Sequence, residues 1–271
     1  MLFVHGTILY VCQFMVKLVW LNLIVTFIVA LPCLLSAQTT KPVTTNSQAW
    51  YGYYVTADFG KKWFLTAELE NRQFVKPSAQ NLFFIRPHLH YKVHKNWDVG
   101  AGVAYFLTTT QNPQKIGKLT TPELRMFQEG NNSFTWGRLT FANRFRFEQR
   151  WIRKTAAEQL AVGYNFNFRF RYRTGLDVLL YQTKEKKHKV KLRVNNELMV
   201  NIPTKLVKNI FDQNRAYVGM NYQPPGPMSF EVGYLHWYQE RQMTKQYFNR
   251  HVVRFSIFHK VSWPSKADRK E

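Results

Sequence analysis

Residues 160–173 read LAVGYNFNFRFRYR and residues 141–151 read FANRFRFEQRW. In the first stretch Leu160, Val162, Tyr164, Phe166, Phe168, Phe170 and Tyr172 alternate with Asn165, Asn167, Arg169, Arg171 and Arg173. In the second, Phe141, Phe145, Phe147 and Trp151 alternate with Arg144, Arg146, Glu148 and Arg150. Successive side chains of a β-strand point to opposite faces, so each stretch predicts a strand with one apolar and one charged face. The apolar row of the first runs over about 13 residues at roughly 3.3 Å each. That exceeds a typical soluble strand and suits a tilted, membrane-spanning one. A soluble sandwich shares the alternation and would turn the charged face to water. A membrane barrel would turn it to a hydrated lumen.

The pattern continues outward in both directions. An aromatic strand over Trp50–Phe59 precedes the turn Gly60-Lys61-Lys62. Trp63, Leu65, Ala67 and Leu69 then oppose Thr66, Glu68, Glu70 and Arg72. Phe83, Ile85, Leu89, Tyr91 and Val93 oppose Arg86, His88, His90 and Lys92. Beyond a turn at Asn96, Trp97, Val99, Val103, Tyr105 and Leu107 alternate with Asp98, Gly100, Gly102 and Ala104, small residues that suit a crowded lumen. A strand over residues 121–128 leads to a turn at Gly130-Asn131-Asn132. The C-terminal third adds strands at Val190–Val194, Ala216–Tyr222, Phe230–Tyr238 and Val253–Val261, with a rigid reversal at Pro224–Pro227. This ledger predicts an all-β, antiparallel transmembrane barrel of about ten to twelve strands. The strands read off directly number about eleven; bacterial single-chain barrels have an even number, so ten or twelve is expected, with twelve preferred.

Composition agrees. Aromatic residues make up 16%, with Phe 22, Tyr 14 and Trp 8, yet mean hydropathy is −0.35. Many half-apolar strands with an aromatic belt give that combination. The formal charge of +22 attracts polyanions, whether nucleic acid, anionic lipid or lipopolysaccharide phosphate. Compartment chooses among them. Residues 1–37 read as an export segment that starts at Met15: Lys17, an apolar run over 18–35, then Ser36-Ala37 as a small-residue cleavage point. A retained anchor is the rival reading, and Asn22 and Pro32 argue against it. Cys12 and Cys33 both fall before the cleavage point, so the mature chain would lack thiol chemistry. The expected organisation is a signal peptide over 1–37, a short extension over 38–48, a barrel over 49–263 and a polar tail over 264–271.

Specific residues carry a family likeness. Phe211-Asp212-Gln213-Asn214-Arg215, followed by Tyr217, Gly219 and Tyr222, resembles the FDQNR stretch of the DUF2490 family of Bacteroidetes-type outer-membrane proteins. Glu231-Val232-Gly233-Tyr234 resembles its ExGY strand, and Asn196-Glu197 its preceding NE strand. Arg144–Arg150 and Arg169–Arg173 are similar to its arginine-rich strand pair, and Asn249 and His251 fall where its last strand begins. Trp237-Tyr238 departs from the pattern, with Gln239 where an earlier glutamine is expected. The resemblance covers residues 46–262. It implies a β-barrel in the outer membrane of a Gram-negative bacterium and no particular activity.

The strongest candidate site is the inward row of Arg144, Arg146, Glu148, Arg150, Arg169, Arg171, Arg173, Arg193 and Glu197. Guanidinium forks meet anions, so the row predicts a narrow anion-biased pore. The competing reading is a closed barrel filled by salt bridges, with Glu68, Glu70, Glu148, Glu197 and Glu231 as partners. A second candidate is a polar cluster of Asn196, Asp212, Asn214, Arg215 and Glu231, either a binding patch near one rim or a clamp in which Arg215 pairs with Glu197. His88 and His90 share a face, but a third ligand is not evident, so neither metal nor cofactor is expected. No GxSxG, HExxH, Walker or GxGxxG motif occurs. The pairs His251/Ser256 and Ser229/His236 differ in strand parity, which leaves a lipid-modifying enzyme as an unfavoured alternative. Nucleic-acid binding is disfavoured because arginines and aromatics occupy opposite faces. Lys184–Lys191 predicts an exposed hairpin able to touch outer-membrane lipid and lipopolysaccharide phosphates.

Overall fold

The computed structural model describes residues 42–114, 119–156, 159–185, 187–202, 209–240 and 246–262. The expected export segment, its start at Met15 and the polar tail lie outside the described residues.

Eleven strands are formed among the described residues: β1 (Val43–Phe59), β2 (Trp63–Phe74), β3 (Ala79–His94), β4 (Trp97–Thr108), β5 (Thr121–Trp136), β6 (Leu139–Ala156), β7 (Gln159–Gln182), β8 (Lys189–Ile202), β9 (Phe211–Gln223), β10 (Met228–Glu240) and β11 (Tyr247–Ser262). Each pairs antiparallel with its chain neighbours, and β11 closes the barrel against β1 in parallel, from Val43↔Tyr247 to Asp58↔Ser262. The expectation of an even count is therefore corrected. Reversals at every connection send the eleventh strand in the same direction as the first, so closure requires one parallel seam. The alternation that located the strands carries no information about that seam.

Two local readings also change. Gly130-Asn131-Asn132 is not a turn: β5 runs through it, with Asn131 opposite Asp98 on one side and Arg144 on the other. The reversal comes at Gly137, which has φ +57. Gly and Asn signal turns locally, but ladders on both flanks hold this segment extended. The strand β1 begins at Val43, inside the stretch expected as an extension, because the polar run Thr44–Gln48 has β11 beside it throughout.

The barrel has an interior rich in buried charged groups, beside two apolar clusters around Trp50 and Trp237 and around Phe84 and Phe106. Its interior holds Arg146, Glu148, Arg169, Arg171, Glu129 and Arg250 at under 9% exposure. Its outer face exposes Val99, Val103, Met126, Phe145, Val218, Val232 and Phe255. No helix among the described residues is long and apolar enough to cross a membrane. Turns at residues 60–62, 95–96, 137–138, 183–188 and 224–227 share the rim where β11 ends. The widest sequence gaps between strands, from β4 to β5 and from β8 to β9, are flanked by strand ends at the rim where β1 begins.

Candidate functional site

The inward parity of β6, β7 and β8 brings the predicted arginine row together, and register decides who meets whom. Glu148 on β6 accepts from Arg169 Nε at 2.9 Å and from Arg171 Nη1 at 2.7 Å, both on β7. Arg171 also reaches Glu197 on β8, at 2.8 Å, where Arg144 is the second partner. Glu123 on β5 is shared by Arg125 and Arg150, each through Nε at 2.6 Å. Arg193 bridges Asp177 at 2.8 Å and Glu231 at 2.7 Å. Around the rest of the ring, Arg86 bonds Glu68, Arg72 bonds Glu70 at 2.6 Å, and Arg146 bonds Glu129 at 2.6 Å. Glu148, Glu197 and Glu123 thus each serve two cations, the arrangement that lets buried charges persist.

Sequence reasoning named the arginines of β6 and β7 but not Arg125, Glu123, Glu129 or Arg254 as site residues. The signal was present as inward parity. Glu129 was missed because the strand expected over 121–128 stopped short of it, whereas Glu123 and Arg125 lay inside that strand with no face assigned.

The polar cluster is divided by the wall. Asp212 faces inward and bonds Arg169 at 2.9 Å. A register shift between Met199 and Val200 leaves Asp212 without a cross-strand partner, so Asp212 and Gln213 are both buried although adjacent in sequence. Glu231 also faces inward and accepts from Tyr217 Oη at 2.8 Å. Asn196 and Asn214 lie on the outer parity and exchange amide hydrogen bonds of 3.1 and 2.9 Å. Arg215 is opposite Glu197 in register, yet its guanidinium packs over Trp237 at 4.7 Å and Trp50 at 5.2 Å. Among the described residues Arg173, Arg215 and Arg254 form no ion pair.

A cavity of about 850 Å³ lies inside the barrel, lined in part by His88, His90, Glu129, Arg173, Arg215 and Arg254. Beside the two histidines β4 presents only Gly102 and Gly100. A Cβ on Gly102 would stand 2.4 Å from His88 Cβ and 2.5 Å from the Pro87 carbonyl oxygen. A Cβ on Gly100 would stand 2.6 Å from His90 Nδ1. The two imidazoles of β3 therefore lie flat across β4 and reach β5. The Gly102→Ala variant is expected to lose about 1–3 kcal/mol through this overpacking, read as a lower urea midpoint at unchanged slope; an unshifted midpoint would show that the backbone gives way freely.

A closed barrel with an ion-paired polar interior and an apolar exterior is the class of protein that this fold and site define. Residues 47–248, well over half of the chain, match the family described as a protein of unknown function (DUF2490). The chain belongs to that family. No curated protein matches it.

Proposed function

We propose that the chain is an outer-membrane β-barrel of a Gram-negative bacterium whose interior is closed by its own arginine–carboxylate lattice, so that it does not conduct. One observation carries the closure: Arg146 and Glu148 face the lumen and are each only 1% exposed. A continuous aqueous pore would leave such groups solvated. The membrane address is supported by the apolar exterior and by exposed Trp63, Trp97 and Trp136 in a belt near one rim, with Trp151 and Tyr164 toward the other. Aromatic girdles at both interfaces are the usual anchors of such barrels.

Short turns face the periplasm in bacterial barrels and longer loops face outward. By that rule the hairpin bearing Lys184 and Lys187, with Lys61, Lys62 and Lys95 on the same rim, faces the periplasm. Its phosphate partners are then inner-leaflet headgroups rather than lipopolysaccharide.

The anion-biased pore is the second reading, favoured by Arg173, Arg215 and Arg254 lining the cavity without carboxylate partners. Recordings from the chain beginning at Gln38, refolded into a planar bilayer after heat-dependent gel mobility has been checked, separate the two. Silence is expected. Steady anion-selective steps that shrink when Arg146 or Arg171 is neutralised would establish the pore instead.

A further inference from the structure

We propose that His88, His90 and Glu129 bind one divalent transition-metal ion of the zinc class inside the barrel, a site independent of whether lipid or water covers the outer face. Three donor atoms converge there. His88 Nδ1 is 2.7 Å from His90 Nε2. Glu129 Oε1 is 3.2 Å from His88 Nδ1 and 3.3 Å from His90 Nε2. Zinc binds nitrogen and carboxylate oxygen at about 2.0–2.2 Å, which places tetrahedral ligand pairs about 3.3–3.5 Å apart. Two edges of this triangle already have that length. The third must open by roughly 0.6 Å to reach it.

The outer nitrogens explain why a metal fits better than a shared proton. His90 Nδ1 faces Asp98 Oδ1 at 2.8 Å, and His88 Nε2 faces Glu68 Oε1 at 3.2 Å. A carboxylate only accepts, so Asp98 holds a proton on His90 Nδ1, whereas His88 Nε2 forms no hydrogen bond. His90 Nε2 is left with its lone pair beside His88 Nδ1 and the Glu129 carboxylate oxygen. One proton satisfies a single pair of these atoms; a metal ion satisfies all three. The second oxygen of Glu129 is held by Arg146 Nε at 2.6 Å, and Asp98 is held by Asn131 Nδ2 at 2.8 Å. Carboxylates behind metal-bound imidazoles are the ordinary outer shell of such sites.

The walls fix the geometry further. The Phe64 ring stacks on His90 with centroids 4.5 Å apart, and Phe127 meets His88 edge-on at 5.5 Å. Gly100 and Gly102 leave the room across β4 that the β3 imidazoles use to reach Glu129, two strands away. Among the described residues the three carboxylates Glu68, Asp98 and Glu129 have Arg86 and Arg146 as arginine ion-pair partners, with Arg144 acting on Glu129 from farther off. All three ligands line the cavity, from which water or a small ligand completes the coordination. Two nitrogens and one carboxylate oxygen favour zinc, iron or cobalt over calcium and magnesium, which prefer all-oxygen sites.

The test uses the untagged, folded barrel in detergent, stripped with a chelator and titrated with Zn²⁺ by calorimetry and with Co²⁺ by visible absorption. One equivalent is expected, with the intense bands of four- or five-coordinate cobalt. His90→Gln and Glu129→Gln should each weaken binding at least tenfold. Asp98→Asn, which removes no ligand, should weaken it about 10–100-fold. His251→Gln, on the outer face, should leave it unchanged. Absence of stoichiometric binding by folded wild type, or binding that survives both ligand substitutions, overturns the site. Should a ligand variant fail to fold, the wild-type cobalt spectrum and Asp98→Asn decide: a weak six-coordinate, water-like spectrum overturns it.

Discussion

Replacing Glu148 with alanine lowers the stability of the folded barrel by about 3–5 kcal/mol, the loss that follows when one partner of a buried ion pair is removed and the other charge is stranded. Glu148 is the anchor for Arg169 and Arg171 on β7, with Arg125 Nη1 3.8 Å away. None of these arginines can reach water without breaking the lattice, since each is under 9% exposed. Glu148→Gln keeps the shape and two acceptor positions on one oxygen, so it should lose less. An exposed acid gives the contrast: Glu185, 69% exposed beside Lys187, should change stability by under about 0.5 kcal/mol when replaced by alanine. Reversible urea unfolding, followed by gel mobility and tryptophan fluorescence, reads both. A loss below about 1 kcal/mol at Glu148 would mean that water solvates the stranded arginines. The interior would then be hydrated, and the pore reading would regain its footing.

A lysine at Val218 should destabilise the barrel by about 2–4 kcal/mol in phospholipid vesicles, the penalty for a cation on the lipid face near the bilayer midplane. Val218 sits near the middle of β9, 43% exposed, with Val194 and Tyr234 as its outward cross-strand neighbours. A valine needs no hydrogen-bonding partner there, and the hydroxyl of its neighbour Tyr234 is already bonded to His251. If this face met water, an exposed valine-to-lysine change away from special features would stay within about 0.5 kcal/mol. The same substitution thus separates a membrane barrel from a soluble one by sign and size. Val218→Leu serves as the control for altered packing. Equal stability of the lysine variant and wild type in vesicles would remove the membrane assignment.

Strand parity was legible in the sequence because it is local: a period of two follows from the pleat, whatever lies alongside. Reading Arg144, Arg146, Glu148 and Arg150 against Phe145, Phe147 and Trp151 correctly separates the inner face from the outer. The small residues Gly100 and Gly102 likewise fall on the crowded side. The family likeness was legible too, in the stretch from Phe211 to Tyr234, inside the matched region. What the sequence could not supply was register and closure. Arg215 and Glu197 stand opposite each other, yet Glu197 is occupied by Arg144 and Arg171 from the other side, and Arg215 turns to the tryptophans. Asp212 enters the lumen only because a bulge breaks the alternation. Glu129 joins His88 and His90 across two glycines of an intervening strand, a meeting of positions about 40 residues apart that no spacing rule encodes. The parallel seam between β1 and β11 has the same origin. Alternation is written residue by residue, whereas neighbours across a barrel depend on every hairpin length and on how the ends of the sheet meet.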